Sequence, residues 1–558
     1  MSKRFLFRAV PVLIAAAMAV QCTSVDEPSI KRGEVKSAAG LIDLQLTQAE
    51  IDSMLPDLHD QLGSYQSMRE VEVGNSVRPA LVFDPVPRGR RKTGESDLLK
   101  VGPTFHRELP DDLEDLAFWS VRDLAELIRT RQVTSAQLTR MYLERLKKHG
   151  PTLECVITLT EQRALESAAR ADAEIAAGRY RGLLHGIPYG AKDLLAVEGY
   201  KTTWGAEPYR DQMIDETATV VKKLDEAGAV LVAKLTLGAL AWGDVWYGGM
   251  TKNPWNLEQG SSGSSAGSAS STSAGLVAFA IGTETWGSIV SPCTRCGVTG
   301  LRPTFGRVSR TGAMALSWSM DKIGPICRTV EDCAIVFDVI RGPDGADPTI
   351  VDAPFRYRFD EDIHALRIGF LPEDFERDNY YQESDSIALD VLREMGIDLI
   401  PISLPDYPIY PLGIILSAEA AAAFDELTRS GRDDLLVRQI RNAWPNAFRT
   451  ARFIPAVEYI QANRIRSMIM KEMEALEVDI YVSPSFGENL LLTNLTGHPC
   501  VVLPNGFDKE GGPVSITFIG RPFEEGKLLA FARAYQERTG FHLKHPPRFE
   551  KQVQNLEQ

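Results

Sequence analysis

An α/β fold, with a central mixed twisted sheet covered by helices on both faces, is what this 558-residue chain predicts. Two observations carry that expectation. Strand-like apolar runs alternate with amphipathic helical segments along most of the chain, which implies a helix-covered sheet. The composition, 44% hydrophobic and 24% charged, is that of an ordinary globular protein and excludes disordered and fibrous classes.

The elements follow in order. Residues 1–21 read as an export signal: Lys3, Arg4 and Arg8 precede an apolar stretch, Ala9 to Val20, that is short for a bilayer span. Two processing routes compete, cleavage after Ala17-Met18-Ala19 or lipid attachment at Cys22. A periplasmic or secreted location follows, with membrane attachment only through a lipid on Cys22. Residues 22–40 form a tether and 41–114 a helical N-terminal extension, in which LTQAEIDSMLPDLHDQL is helical and PALVFDPVPRGRRK is not. The main domain spans 115–545, and 546–558 form a C-terminal tail. SVRDLAELIRTRQ and VTSAQLTRMYLERLKKHG give two amphipathic helices; Thr134 and Gln137 make a capping box at the second, and Gly150-Pro151 is expected to stop it. The strands CVITLT, VLVAKL, VAFAIGT, ALRIGFLP, DLIPIS, DIYVSPS and CVVLPNGF then interleave with five helical segments, from ATVVKKLDEAG to EEGKLLAFARAYQER.

Charge and cysteines narrow the function. The net charge of −14 opposes a polyanion, and removing residues 1–21 takes three positive charges with it, leaving 58 Lys+Arg against 75 Asp+Glu, a net of −17. The only basic cluster is Arg88 to Lys92, so no nucleic-acid partner is expected. Seven cysteines stand at irregular spacings, and Cys293-Thr-Arg-Cys296 lacks the second half-site that a zinc centre needs. Eight histidines show no HExxH or HxxxH pattern, so neither a metal nor a cofactor is called for. The oligomeric state and the redox state of the two cysteines are open at this level.

Three segments break the alternation: HGIPYGAKDLL (His185 to Leu195), the serine-rich GSSGSSAGSASSTSAG (Gly260 to Gly275) and GTETWGSIVSP (Gly282 to Pro292). Composition alone makes the second a flexible linker, but NPWN (Asn253 to Asn256) precedes it and the apolar LVAFAIGT follows directly, so it joins no two cores. Lys192 reads as standing in a Gly/Pro-rich turn among apolar residues, where desolvation favours a neutral, proton-accepting amine. Ser288 stands in a Gly-containing turn after a strand, where backbone N–H groups can face a developing oxyanion. No histidine neighbours either residue in sequence, which leaves a Ser-Lys pair as the simplest nucleophile and base.

Taken together the segments resemble the amidase signature family, whose members use a Ser-cisSer-Lys triad, over roughly residues 115–545. The matching stretches are Gly186 to Asp193, Asn253 to Asn256 followed by Ser262 to Ser268, GTETWGSIVSP, CGVTGLRPT (Cys296 to Thr304) and TNLTGHPCVVLPNGF (Thr493 to Phe507). The family spacing puts the first paired serine eight residues after Asn256, at Ser264, and 24 residues before Ser288. The resemblance implies Ser288 as nucleophile, Ser264 as proton shuttle and Lys192 as base. It also implies an oxyanion hole from the backbone N–H groups of Thr285, Trp286, Gly287 and Ser288, with Gly263, Ser265 and Trp286 at the substrate. The chain departs from the pattern at Trp286, commonly Gly, and at Ala266, Glu284 and Val290.

The implied function is that of an exported amidohydrolase cleaving a carboxamide C–N bond in a small or peptidic substrate through an acyl-enzyme. An alternative in the same family is the glutaminase (A-type) subunit of a tRNA-dependent amidotransferase. A third reading, kept open by Trp286, is a catalytically silent binding protein of the same fold.

Overall fold

The computed structural model describes residues 30–69, 71, 74–77, 81–85, 96–104, 109–377 and 381–550. The export segment, the Ala17-Met18-Ala19 site, Cys22, the first part of the tether and the Arg88 to Lys92 cluster lie outside them. Among the described residues no helix is long and apolar enough to cross a membrane.

The chain divides into two compact units, Met1–Val73 and Gly74–Gln558. The first holds helices Arg32–Leu41 and Gln48–Arg69, and Ile30, two residues before the first helix, donates its N–H to His59 Nε2 of the second at 3.0 Å. Glu34 caps the first helix by accepting from Lys31 N at 2.7 Å.

The second unit is built on one eleven-stranded sheet. In chain order its strands are β1 (Val156–Leu159), β2 (Pro188–Lys192), β3 (Val230–Leu235), β4 (Phe279–Glu284), β5 (Thr299–Arg302), β6 (Lys322–Cys327), β7 (Ile368–Phe370), β8 (Leu399–Pro401), β9 (Ile480–Pro484), β10 (Cys500–Phe507) and β11 (Pro513–Gly520). Their spatial order is β8-β7-β9-β11-β10-β5-β6-β4-β2-β3-β1. Pairing is parallel at β2 with β3 and β4 and at β7 with β8 and β9, and antiparallel elsewhere, so the sheet is mixed. Strands β2, β3, β6 and β11 are buried at every residue, as strands covered on both faces must be.

Three sequence expectations need correction. Lys192 ends a central strand rather than standing in a turn: β2 is hydrogen-bonded on both edges, and its glycine reflects crowding, because a Cβ on Gly190 would lie 2.3 Å from Leu235 Cδ1. The helix after Thr134 has the expected capping box but runs through Pro151 to Leu153. A proline in the last turn removes one amide hydrogen bond, and the helix closes only where Glu154 turns left-handed (φ 49°) and donates its N–H to Gly150 O. The serine-rich stretch is only half loop, since Ala266–Ser273 is a fully buried helix. Its hydroxyls satisfy buried carbonyls: Ser268 Oγ donates to Ile281 O (3.0 Å), Ser270 Oγ to Lys252 O (2.9 Å) and Ser273 Oγ to Cys296 O (2.6 Å).

Candidate active site

Three segments far apart in sequence meet at the ends of β2 and β4. Lys192, the last residue of β2, is fully buried, and its Nζ lies within hydrogen-bond distance of Ser264 Oγ (2.8 Å), Ser265 Oγ (3.0 Å) and Thr283 Oγ1 (2.8 Å), so a neutral amine can donate to the latter two and accept from Ser264. Burial holds its ammonium form well below the ordinary lysine range, offset in part by the negative charges of Asp321 and Glu284. Burial thus favours the neutral form of the amine.

The loop that reaches Lys192 carries a cis peptide between Gly263 and Ser264. A Cβ on Gly263 would sit 1.9 Å from Gly243 O, so only glycine fits. Ser261, which opens the other Ser-Ser pair of this loop, is buried, and its Oγ donates to Ser262 O. Ser265, expected at the substrate, is fully buried instead. Its Oγ accepts from Lys192 and from Thr283 N (3.1 Å) and donates to Thr283 O (3.0 Å), which leaves it nothing to offer a ligand.

Ser288 is brought beside this loop by a hydrogen bond from Ser265 N to Ser288 O at 3.1 Å. The turn that carries it, Thr285 to Ser288, follows β4 and precedes helix Val290–Cys296. Among the described residues the N–H groups of these four residues have no protein acceptor, as donors kept for a ligand would. Gly287 has φ +81°, a left-handed conformation that turns the backbone here.

Glu284 fixes the turn from below. It accepts from Ile289 N (2.8 Å), Val290 N (2.9 Å), Arg302 Nη1 (2.8 Å) and Asn494 Nδ2 (2.8 Å). Burial pushes its carboxyl up, but the adjacent Arg302 and these hydrogen bonds outweigh that and hold it at about 2. Ile289 and Val290 are fully buried core residues.

Trp286 is 41% exposed on this otherwise buried turn, and its ring lies 6.4 Å from that of Tyr410, itself 54% exposed. A cavity of about 410 Å³ opens beside the site, with Thr283, Thr285, Leu194, Asp321 and Lys322 on its wall. Thr283 and Asp321 were not singled out in the sequence. Thr283 sits inside the GTETWGS segment that flagged Ser288, whereas nothing local marks Asp321.

Cys293 and Cys296 are buried free thiols, each pushed upward chiefly by burial. Among the described residues no group of three or more His, Cys, Asp or Glu side chains is arranged to hold a metal ion.

Comparison with known proteins agrees with this geometry. The model of the Amidase family matches residues 137–493. The A-type subunit of the glutamyl-tRNA(Gln) amidotransferase from Roseiflexus sp. (strain RS-1) is 34% identical over 479 residues, 76% of this chain and 98% of that protein. Among solved structures, the native peptide amidase from Stenotrophomonas maltophilia superposes with a TM-score of 0.69 at 29% identity, covering 78% of this chain and all of that one. The A-type subunit of the Thermotoga maritima glutamyl-tRNA(Gln) amidotransferase superposes with a TM-score of 0.64 at 27% identity, covering 76% and 95%. The chain belongs to the amidase family and is an amide C–N hydrolase.

Proposed function

We propose that the chain cleaves its amide through an acyl-enzyme on Ser288. Neutral Lys192 draws a proton from Ser264 while Ser264 takes one from Ser288, whose oxygen attacks the carbonyl. The N–H groups of residues 285–288 receive the oxyanion, the proton returns to the leaving amine, and water releases the acid. The observation that carries this reading is the buried lysine amine bonded to Ser264 at 2.8 Å, beside a turn with four uncommitted donors.

Two substrate readings stand on different observations. The curated relatives support a glutaminase that works within a tRNA-dependent amidotransferase, in which the carboxamide is that of glutamine and the product ammonia serves the amidation. The expectation of no nucleic-acid partner does not hold for that reading. A self-contained amidase, exported by residues 1–21, is supported by the charged and apolar pattern of the N-terminus and by the exposed Trp286 at the nucleophile. Ammonia release by the chain alone decides between them. Turnover of aryl-acyl or peptide amides well above that of glutamine supports the self-contained enzyme, whereas glutamine as the only substrate supports the amidotransferase component.

A further inference from the structure

The oxyanion turn is held from a second side by a carboxylate that the acyl-enzyme chemistry does not itself use. Thr285 Oγ1 donates to Asp321 Oδ1 at 2.5 Å, while Asp321 Oδ2 accepts from Leu316 N (2.8 Å) and Ser317 N (2.9 Å). Asp321 is half-buried and lines the cavity.

The loop that carries it is pinned on three sides. Asn75 clasps Ala315, donating to its O (2.9 Å) and accepting from its N (2.7 Å). Glu419 accepts from Ser317 Oγ (2.6 Å), Ser319 N (3.0 Å) and Ser319 Oγ (2.7 Å). Arg466 donates to Ser319 Oγ (2.9 Å) and Ser319 O (2.8 Å). So many fixed contacts on one loop give its single carboxylate a defined place, and that place is against Thr285.

We propose that Asp321 is a positioning residue for amide hydrolysis: through Thr285 it sets the oxyanion turn, and its charge balances the ammonium formed when Lys192 takes the proton. The inference rests on the acyl-enzyme reading. Asp321 and Glu284 are the two carboxylates that act on the Lys192 amine. Glu284 is also paired with Arg302, whereas Asp321 bonds Thr285 of the oxyanion turn. Burial raises the Asp321 carboxyl, offset by the hydrogen bonds from Thr285, Leu316 N and Ser317 N and by the Arg310 charge, and Lys322 is another basic group near it. When a proton moves onto Lys192 in a low-dielectric site, an opposing charge lowers the energy of that state, and a fixed turn keeps the N–H groups aimed at the oxyanion.

The experiment compares Asp321→Asn, Thr285→Val and Thr285→Ser in the full chain, with Ser288→Ala as control, measuring kcat, KM and the pH profile of kcat/KM. Asp321→Asn is expected to lower kcat about 10- to 100-fold, less than or comparable to loss of one oxyanion donor, with KM little changed. Removing the negative charge makes Lys192 a weaker base, so the acid limb of the profile moves to lower pH. Thr285→Val keeps the charge and is expected to lower kcat with the limb in place, and Thr285→Ser to restore it. A fully active Ser288→Ala would overturn the acyl-enzyme reading. An inactive Ser288→Ala together with wild-type kcat and an unmoved limb in Asp321→Asn would overturn this proposal alone. A limb that stays fixed while every variant loses activity equally would also overturn it, since it would make Asp321 merely structural.

Discussion

At the scale of single residues, the two paired serines and the lysine are distinguished by what each can reach. Ser264 bonds Lys192 directly, while Ser261 bonds only a backbone carbonyl. Ser264→Ala is therefore expected to lower kcat by orders of magnitude and Ser261→Ala to be nearly silent; the reverse ranking in measured rate constants would move the shuttle three residues upstream. The depressed lysine also sets a pH dependence. Because only the neutral amine accepts a proton, kcat/KM is expected to fall as pH drops through the Lys192 titration, and a profile that rose toward acid would contradict the assignment. Glu284 gives a stability counterpart. Its folded carboxyl titrates at about 2, below the ordinary value, so its stabilisation is present above the unfolded titration and is lost as pH falls toward about 2. Glu284→Gln leaves Arg302 buried without its countercharge, with an expected loss of about 3 to 5 kcal/mol at neutral pH measurable by urea titration. That loss is expected to shrink over the same acid window in which the wild type loses its carboxylate.

At the scale of elements, the sequence was most legible where a single period ran unbroken. The helix after Thr134 starts where its capping box specifies, and the apolar run Cys500–Phe507 is a strand buried at all but its last residue. Legibility failed where tertiary crowding chose the residues. The glycines and serines around the site look like turn and linker composition, yet they form a central strand and a buried helix, because close backbone approach demands small side chains and buried carbonyls demand hydroxyls. The resemblance singled out Lys192, Ser264 and Ser288, but not the burial of Ser265 or the hold of Asp321 on Thr285, since both depend on contacts between segments distant in sequence. The buried helix supplies its own test. A Cβ on Gly267 would lie 2.5 Å from both Cys155 O and Thr236 N, so Gly267→Ala is expected to destabilise by roughly 1 to 3 kcal/mol and shift the urea midpoint downward. An unchanged midpoint would mean that the helix can move away from the sheet without cost.

At the scale of the whole molecule, the mixed sheet gathers residues from positions 192, 264, 285 and 288 into one site, and the loop at 315–321 ties that site to Asn75, Glu419 and Arg466. In the proposed mechanism the base, shuttle, nucleophile and oxyanion donors all come from the chain itself. Turnover is accordingly expected to be insensitive to EDTA, and a loss of activity that zinc restores would count against the account. The most direct test of the central claim is intact mass and peptide mapping after exposure to a fluorophosphonate, which traps an activated serine as a covalent adduct. The account predicts one adduct per chain, located on Ser288, absent in Ser288→Ala and formed far more slowly in Lys192→Ala. An adduct on another serine, or full amide turnover by Ser288→Ala, would contradict it.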